Sequence, residues 1–531
     1  MIIIRILAQN AGLYRDETAL VERIPFSGRN RTLTWKEFYQ AANQFANALV
    51  QNAIQKGDKI VQLMTNCLEW LPIYFGILST GAWAVPLNFR FESDKILLCT
   101  HTAEAKVFIF GEEVIERVEQ IKNKLDEHIS LWIFTGPEEV CPDYAVPYET
   151  FINGQEESTA PDVNIDIEDD AALYFTSGTT GTPKAVLLTH KNLEHACYVE
   201  QAHHGQTHDD IFLCIPPLYH TGAKMHWMGS LLVGGKTVLL KGVKPQWIVD
   251  AVSQEQCTIA WLLVPWVHDI LIAIENDEID LSKYNLSQWR LMHTGAQPVP
   301  PTLVETWQKY FPEQDYDINY GLTESTGPGC VHLGVENVDK TRPGPIGLPG
   351  DGWEAKIVDK QGDHLFGNES GELIVKGPGV MKEYYKNPEA TARTLKNGWL
   401  YTGDIARYDK NGFIWLVDRK KDMIIYGGEN IFPNEIENFF QNNSKIKDIA
   451  VIGIPDDRLG EIPAGIISVK PNCMLCESDI VEFQQKLPRF KQLRKIFFGD
   501  VPRNPTGKIE KPKLRRIYAE DKRKDIKKLL R

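Results

Sequence analysis

No stretch of this 531-residue chain is both apolar and long enough to cross a bilayer. The opening Met1-Ile-Ile-Ile-Arg-Ile-Leu-Ala8 is too short to span, and no cleavage-site pattern follows it, so the expected location is the cytoplasm. Cysteine is scarce. Of nine residues only Cys473 and Cys476 are close in sequence, and a zinc site there would want a second pair or histidines at ligand spacing nearby, so reduced, structural thiols are expected. Excess positive charge is also missing. The 58 Lys and Arg against 71 Asp and Glu give a formal net charge of −13, which argues against a nucleic-acid partner; only segment 521–528 is locally basic, and it reads as a solvated helix end. There is no internal repeat, low-complexity tract or long linker, and no Gly-Lys-Ser/Thr ending of the strand-to-helix phosphate loop.

What the chain does have is Tyr174-Phe-Thr-Ser-Gly-Thr-Thr-Gly-Thr-Pro-Lys184, in which small hydroxylated residues, two glycines and one lysine fall between apolar segments. Residues 171–176 and 185–190 are strand-like, and a helix is expected from Asn192. Glycines let backbone amides approach phosphate oxygens, the hydroxyls of Thr176, Ser177, Thr179 and Thr180 are donors, and Lys184 adds a positive charge, so the segment suits a polyphosphate.

The length implies more than one folded unit, since single cores stop growing near about 250–300 residues. Helix-like stretches (35–51, 70–80) alternate with short apolar strands (59–64, 105–110, 237–240, 258–263), the rhythm of an α/β layer. After Ile346 glycine-punctuated strands take over, at 354–358, 371–376 and 412–417. The charged crossing Asp418-Arg-Lys-Lys-Asp422 holds no apolar residue and marks a plausible boundary.

On the phosphate-loop residues, and then over nearly its whole length, the chain resembles the adenylate-forming superfamily of acyl-CoA synthetases, carrier-protein-charging adenylation domains and firefly-type luciferases. The resemblance implies a large N-terminal domain of layered α/β sheets with a β-rich subdomain (1–418) and a small mobile α+β C-terminal domain (419–531), hinged near Lys421. It places the ATP phosphates on Thr176, Ser177, Gly178, Thr179, Thr180 and Lys184; Ala185 departs from the family, where glycine follows the lysine. In Tyr320-Gly-Leu-Thr-Glu324 it puts Tyr320 on the nucleotide, Thr323 near the α-phosphate and Glu324 on Mg²⁺, in keeping with an ion that takes one or two carboxylates. Gly295 and Ala296 leave room for adenine, and Asp404 with Arg419 would clamp the ribose. Lys508, in Asn504-Pro-Thr-Gly-Lys508, is implied as the adenylation lysine, and Gly427 and Gly428 as flanks of the pantetheine path, with Lys491 and Arg494 as candidates for CoA phosphates.

The acyl side is less specific. His220, in Pro216-Pro-Leu-Tyr-His-Thr-Gly222, falls nearest the reacting carboxylate by resemblance, and Met225, Trp227, Trp261 and Trp266 are candidate pocket walls. No aspartate lies around His220 to pair with an α-ammonium, which disfavours amino acids as substrates. The implied activity is ATP-dependent acid:CoA ligation through an acyl-adenylate, on a medium- or long-chain fatty acid or an aromatic or alicyclic acid. ATP, Mg²⁺ and CoA are the implied cofactor and co-substrates, and a homodimer is the association considered. The rivals are a carrier-protein-charging enzyme, a luciferase-like oxygenase and a catalytically silent nucleotide binder. The last should lack Lys508 or Glu324, and both are present.

Overall fold

The computed structural model describes residues 2–176, 183–295, 299–327, 329–333, 345–427, 429–456, 458–471, 473–503 and 508–519. Ser177, Gly178, Thr179, Thr180, Ala296 and Gly428 lie outside them.

Two large sheets carry the N-terminal part. One has eight strands, among them the phosphate-loop pair Asp170–Thr176 and Lys184–Thr189, which run antiparallel with Thr176 opposite Lys184. The other has nine, and at its centre Ile259–Leu263, Leu291–Gly295 and Asp315–Tyr320 lie side by side in parallel. Ile259–Leu263 is apolar throughout, as a strand covered on both faces requires, while the other two bury His293, Thr294 and Asp317 among their apolar residues. A third, five-stranded antiparallel sheet contains Trp399–Tyr408 and Ile414–Arg419, and a fourth lies wholly beyond residue 423. The expected α/β layers, β-rich region and small α+β unit are all present.

Helix limits follow local chemistry. Trp35–Gln51 begins on Thr34, whose hydroxyl accepts from the Glu37 amide while Glu37 returns to the Thr34 amide. The helix His190–His204 starts two residues before the expected Asn192, because Thr189 caps it and Asn192 closes the same reciprocal box from its third position. It ends at Gly205, which takes the left-handed conformation at φ +53°.

The apolar interior separates into four clusters of described residues. Two are built from residues up to Leu416, and two from residues from Ile424 onward; none mixes the two ranges. Between them the contacts are polar. Asp418 Oδ2 accepts from the Asn434 amide at 2.9 Å, and Asn434 Nδ2 reaches the Val417 carbonyl at 3.3 Å. Among the described residues no helix is long and apolar enough to cross a membrane.

Candidate functional site

Strand register brings Asp404 and Arg419 together. Trp399–Tyr408 and Ile414–Arg419 pair antiparallel with these two residues directly opposite, and Arg419 Nε lies 3.2 Å from Asp404 Oδ1. The other carboxylate oxygen accepts the Tyr320 hydroxyl at 2.6 Å, so the end of Asp315–Tyr320 is tied to the third sheet. Asp404 holds the Arg419 guanidinium above its ordinary value, while burial and the Asp404 charge raise the Tyr320 phenol.

After Tyr320 the chain turns through a short 3₁₀ segment, Thr323–Ser325. Thr323 Oγ1 is 3.4 Å from Thr221 Oγ1, and Glu324 Oε1 accepts the Tyr384 hydroxyl at 2.7 Å. Tyr384 belongs to a two-residue strand that pairs with Lys184–Thr189 opposite Val186, and its ring lies 4.5 Å beneath Lys184 Nζ. This tyrosine links Glu324 to the phosphate-loop lysine. Sequence reasoning missed it because a two-residue edge strand has no period to detect.

His220 caps the helix Thr221–Val233, its Nδ1 accepting from the Gly222 amide at 3.1 Å. Burial, and then the Lys508 charge, bring its imidazole down to about 3, so it is neutral at physiological pH. Lys508 comes from the far end of the chain, yet shares this environment. Burial and Arg419 bring its ammonium down to about 8, against the opposing pull of Asp404 and Glu324. Lys508, His220, Glu324, Asp404 and Arg419 therefore form one electrostatic cluster to which both parts of the chain contribute.

The remaining expected residues are placed as follows. Gly295 ends its strand where an added Cβ would stand 3.2 Å from the Asn319 carbonyl oxygen, a tight contact that a small residue avoids. Trp261 lies beside His220: a Cβ on Gly222 would meet both Trp261 Cη2 and His220 Nδ1 at 3.1 Å. Met225 is buried against Gly327, and Trp266 sits half-buried at the edge of the main core. Trp227 departs from its expected place on a pocket wall. It is fully buried, with its ring 6.3 Å from that of Phe38 and 6.0 Å from that of Phe75, a core position. Lys491 pairs with Glu435 at 2.6 Å, and Arg494 bonds the Tyr426 hydroxyl and the Arg489 carbonyl, so both are engaged within the C-terminal part. Gly427 has φ +57° and donates its amide to Leu459, a conformation that suits glycine. Cys473 and Cys476 are exposed and reduced.

A carboxylate–guanidinium–phenol triad, a lysine of lowered pKa and a neutral histidine are thus gathered from residues on both sides of segment 420–423 in a layered α/β protein. Residues 7–385 match the AMP-binding enzyme family and residues 435–508 match the AMP-binding enzyme C-terminal domain, so the chain belongs to the AMP-binding enzymes, within the adenylate-forming superfamily. Among its relatives, 4-coumarate–CoA ligase 2 of Nicotiana tabacum is 31% identical over 508 residues, covering 93% of this chain and 91% of the relative. The long-chain-fatty-acid–CoA ligase FadD13 of Mycobacterium tuberculosis is 29% identical, covering 92% and 93% respectively. The crystal structure of the anthranilate CoA ligase AuaEII in complex with anthranoyl-AMP superposes with a TM-score of 0.88 at 25% identity, over 97% of both chains.

Proposed function

We propose that the protein is an AMP-forming acid:CoA ligase. The observation that carries this reading is the position of Lys508 within charge reach of Asp404, Arg419, Glu324 and His220. A lysine presented there stabilises negative charge building up on the α-phosphate as the acid's carboxylate attacks it and pyrophosphate leaves. Asp404 accepts from the ribose hydroxyls, with its orientation held by Tyr320 and Arg419. Thr323 and Lys184 hold phosphate oxygens. Glu324 has one oxygen satisfied by Tyr384 and is half-buried on a turn, which fits Mg²⁺, an ion that takes one or two carboxylates and leaves its other positions to phosphate and water. When bound, the ion supplies further positive charge at the phosphates.

In the second half-reaction the CoA thiol displaces AMP from the acyl-adenylate. For that step we assign residues 1–418 to a fixed body and 419–531 to a unit that turns about Lys421, withdrawing Lys508 and presenting Gly427 and Gly428. Lys491 and Arg494 would reach the CoA phosphates in that second orientation by exchanging their present partners.

For the acid, Trp261 beside His220 favours a compact aromatic or alicyclic ring over a long alkyl chain. Behind Trp261 stand His226 and His293, with ring centres 4.5 and 6.0 Å away, a polar backing unsuited to a hydrocarbon tail. Acid-dependent ATP–pyrophosphate exchange tests the activity, and a panel of benzoate-like acids, cyclohexane carboxylates and fatty acids of rising length tests the substrate class. Higher kcat/KM for palmitate than for every ring acid overturns the ring preference; exchange that needs no acid overturns the ligase.

Two consequences are specific to this site. The kcat/KM for ATP should fall as pH rises through about 8, because the Lys508 cation is present below that value and lost above it. In Lys508→Arg the decline should move beyond about pH 10 whatever the absolute rate, since a guanidinium keeps its proton. A limb that stays near 8 in that variant belongs to another group. Separately, Tyr384→Phe should raise the Mg²⁺ requirement of exchange about tenfold, the usual effect of removing a hydrogen bond that orients a metal-ligating carboxylate. An unchanged magnesium titration would reduce Tyr384 to packing under Lys184.

A further inference from the structure

The turn that carries Glu324 ends on a residue whose backbone does not suit it. Thr326 has φ +65° and ψ +21°, the left-handed conformation in which glycine or asparagine normally closes a helical turn. A β-branched side chain is strained there, and such a residue persists only where its surroundings hold it. Among the described residues six other non-glycine residues have positive φ: Ala53, Glu104, Gln256, Asp277, Lys386 and Asn397. All six are exposed and unbranched at Cβ, whereas Thr326 is β-branched and 1% exposed. Two hydrogen bonds hold it in place: its amide donates to the Thr323 carbonyl at 3.0 Å, and its hydroxyl donates to the Gly379 carbonyl at 2.5 Å.

Gly379 belongs to a segment that touches the same turn twice more. Met381 donates its amide to the Glu324 carbonyl at 2.8 Å, and Tyr384 donates its hydroxyl to Glu324 Oε1 at 2.7 Å. The segment is itself fixed from outside. Asn192 Nδ2 donates to the carbonyls of Pro378 and Val380 at 2.7 and 3.1 Å, and Lys382 donates its amide to the Leu187 carbonyl at 3.0 Å. A Cβ on Gly379 would stand 3.1 Å from the Ser325 carbonyl and 2.6 Å from the Trp353 ring, so the segment's backbone lies directly against the turn. Glu324 is therefore held at its backbone by Met381 and at its carboxylate by Tyr384, and Thr326 supplies the turn's own bond back to that segment.

We propose that Thr326 is a positioning residue for the Glu324 carboxylate, a role that rests on Glu324 as the Mg²⁺ ligand. Its hydroxyl closes the circuit Thr326–Gly379–Met381–Glu324, which fixes the turn against the segment so that Tyr384 meets the carboxylate at one place. The strain points the same way. Glycine would adopt this backbone at no steric cost, but it would take the donor away from the buried Gly379 carbonyl and release one end of the turn. A ligand to Mg²⁺ needs a fixed direction, because the ion demands near-ideal octahedral geometry and tolerates little displacement of its carboxylate.

Three variants of the full-length protein test it. Thr326→Gly removes both strain and hydroxyl, Thr326→Val removes the hydroxyl and keeps the shape, and Thr326→Ser keeps the hydroxyl. The glycine and valine variants should need about three- to tenfold more Mg²⁺ for half-maximal acid-dependent exchange, less than the loss of a direct partner of the ligand, and the serine variant should stay within about twofold of the parent. Calorimetry with Mn²⁺ and ATP, no acid present, should show the same weakening, while metal-free ATP binds the glycine variant and the parent alike. Tm is read on all three. The magnesium requirement should follow the hydroxyl; a requirement that follows Tm instead, or that rises as far with serine as with glycine, overturns the proposal. Glycine is unstrained at this φ, so the test stands should valine not fold. Parent-like requirements in the glycine and valine variants, alongside a raised requirement in Glu324→Gln, overturn the role of Thr326 and leave the ligase reading intact. A magnesium titration unchanged in Glu324→Gln removes Glu324 from the metal and this inference with it.

Discussion

Lys508→Ala lowers acid-dependent ATP–pyrophosphate exchange by about 10²–10³-fold, the usual loss for one preorganised donor aimed at developing charge. Thioester formation from supplied acyl-adenylate stays near the parent rate. The argument rests on where the charge sits. Lys508 shares a desolvated space with Arg419, Asp404 and Glu324, and burial together with the Arg419 charge lowers its proton affinity there. Alanine removes that charge and leaves the buried apolar clusters of the C-terminal part untouched, because Lys508 belongs to none of them. A stopped assay of each half-reaction checks it. Equal damage to both half-reactions would make the residue structural and remove its one-step role.

Lys421→Pro separates the half-reactions in the opposite sense. The turn at 420–422 is closed by the amides of Asp422 and Met423, both donating to the Arg419 carbonyl, and Lys420 donates its amide to Gly403. Lys508 lies within charge reach of Asp404 and Arg419 in this arrangement, so on the proposed mechanism it corresponds to the adenylating orientation. Proline fixes φ near −65° and restricts the residue before it, so the turn can satisfy one orientation and resists the other. Pyrophosphate exchange should persist, and CoA-thioester formation from supplied adenylate should drop about tenfold or more, because a penalty of only about 1.4 kcal/mol on the second orientation already has that effect. A proline variant that folds and runs both steps at the parent rate moves the pivot away from Lys421.

The motifs behind these predictions were legible because each is short and carries its chemistry locally. Asp404 and Arg419 were paired by resemblance, and strand register supplies the physical reason: the two strands are antiparallel neighbours in which these residues fall opposite. Element limits moved by one or two residues, as with the helix that starts at His190, because caps decide ends and periodicity does not. Trp227 was misplaced since an aromatic on an apolar helix reads the same whether it faces a ligand or Phe38 and Phe75. A buried cluster of Glu200, His204, His226, His293 and Asp317 left one faint trace, the i, i+4 spacing of Glu200 and His204. Its other members come from separate elements and meet only when two strands align in parallel and two helices cover them.

The division of the apolar interior into clusters that never span residues 417–423 bears on how the two half-reactions respond to temperature. On the proposed rotation, turning one unit against the other breaks the Asn434 hydrogen bonds to Asp418 and Val417 and divides none of the four apolar clusters. Apolar exposure raises the heat capacity and polar exposure lowers it, so exposing a few polar groups should change it little and in the negative sense. The equilibrium between adenylating and thioester-forming arrangements should then follow a nearly straight van't Hoff line across the folded range, with marked curvature confined to global unfolding.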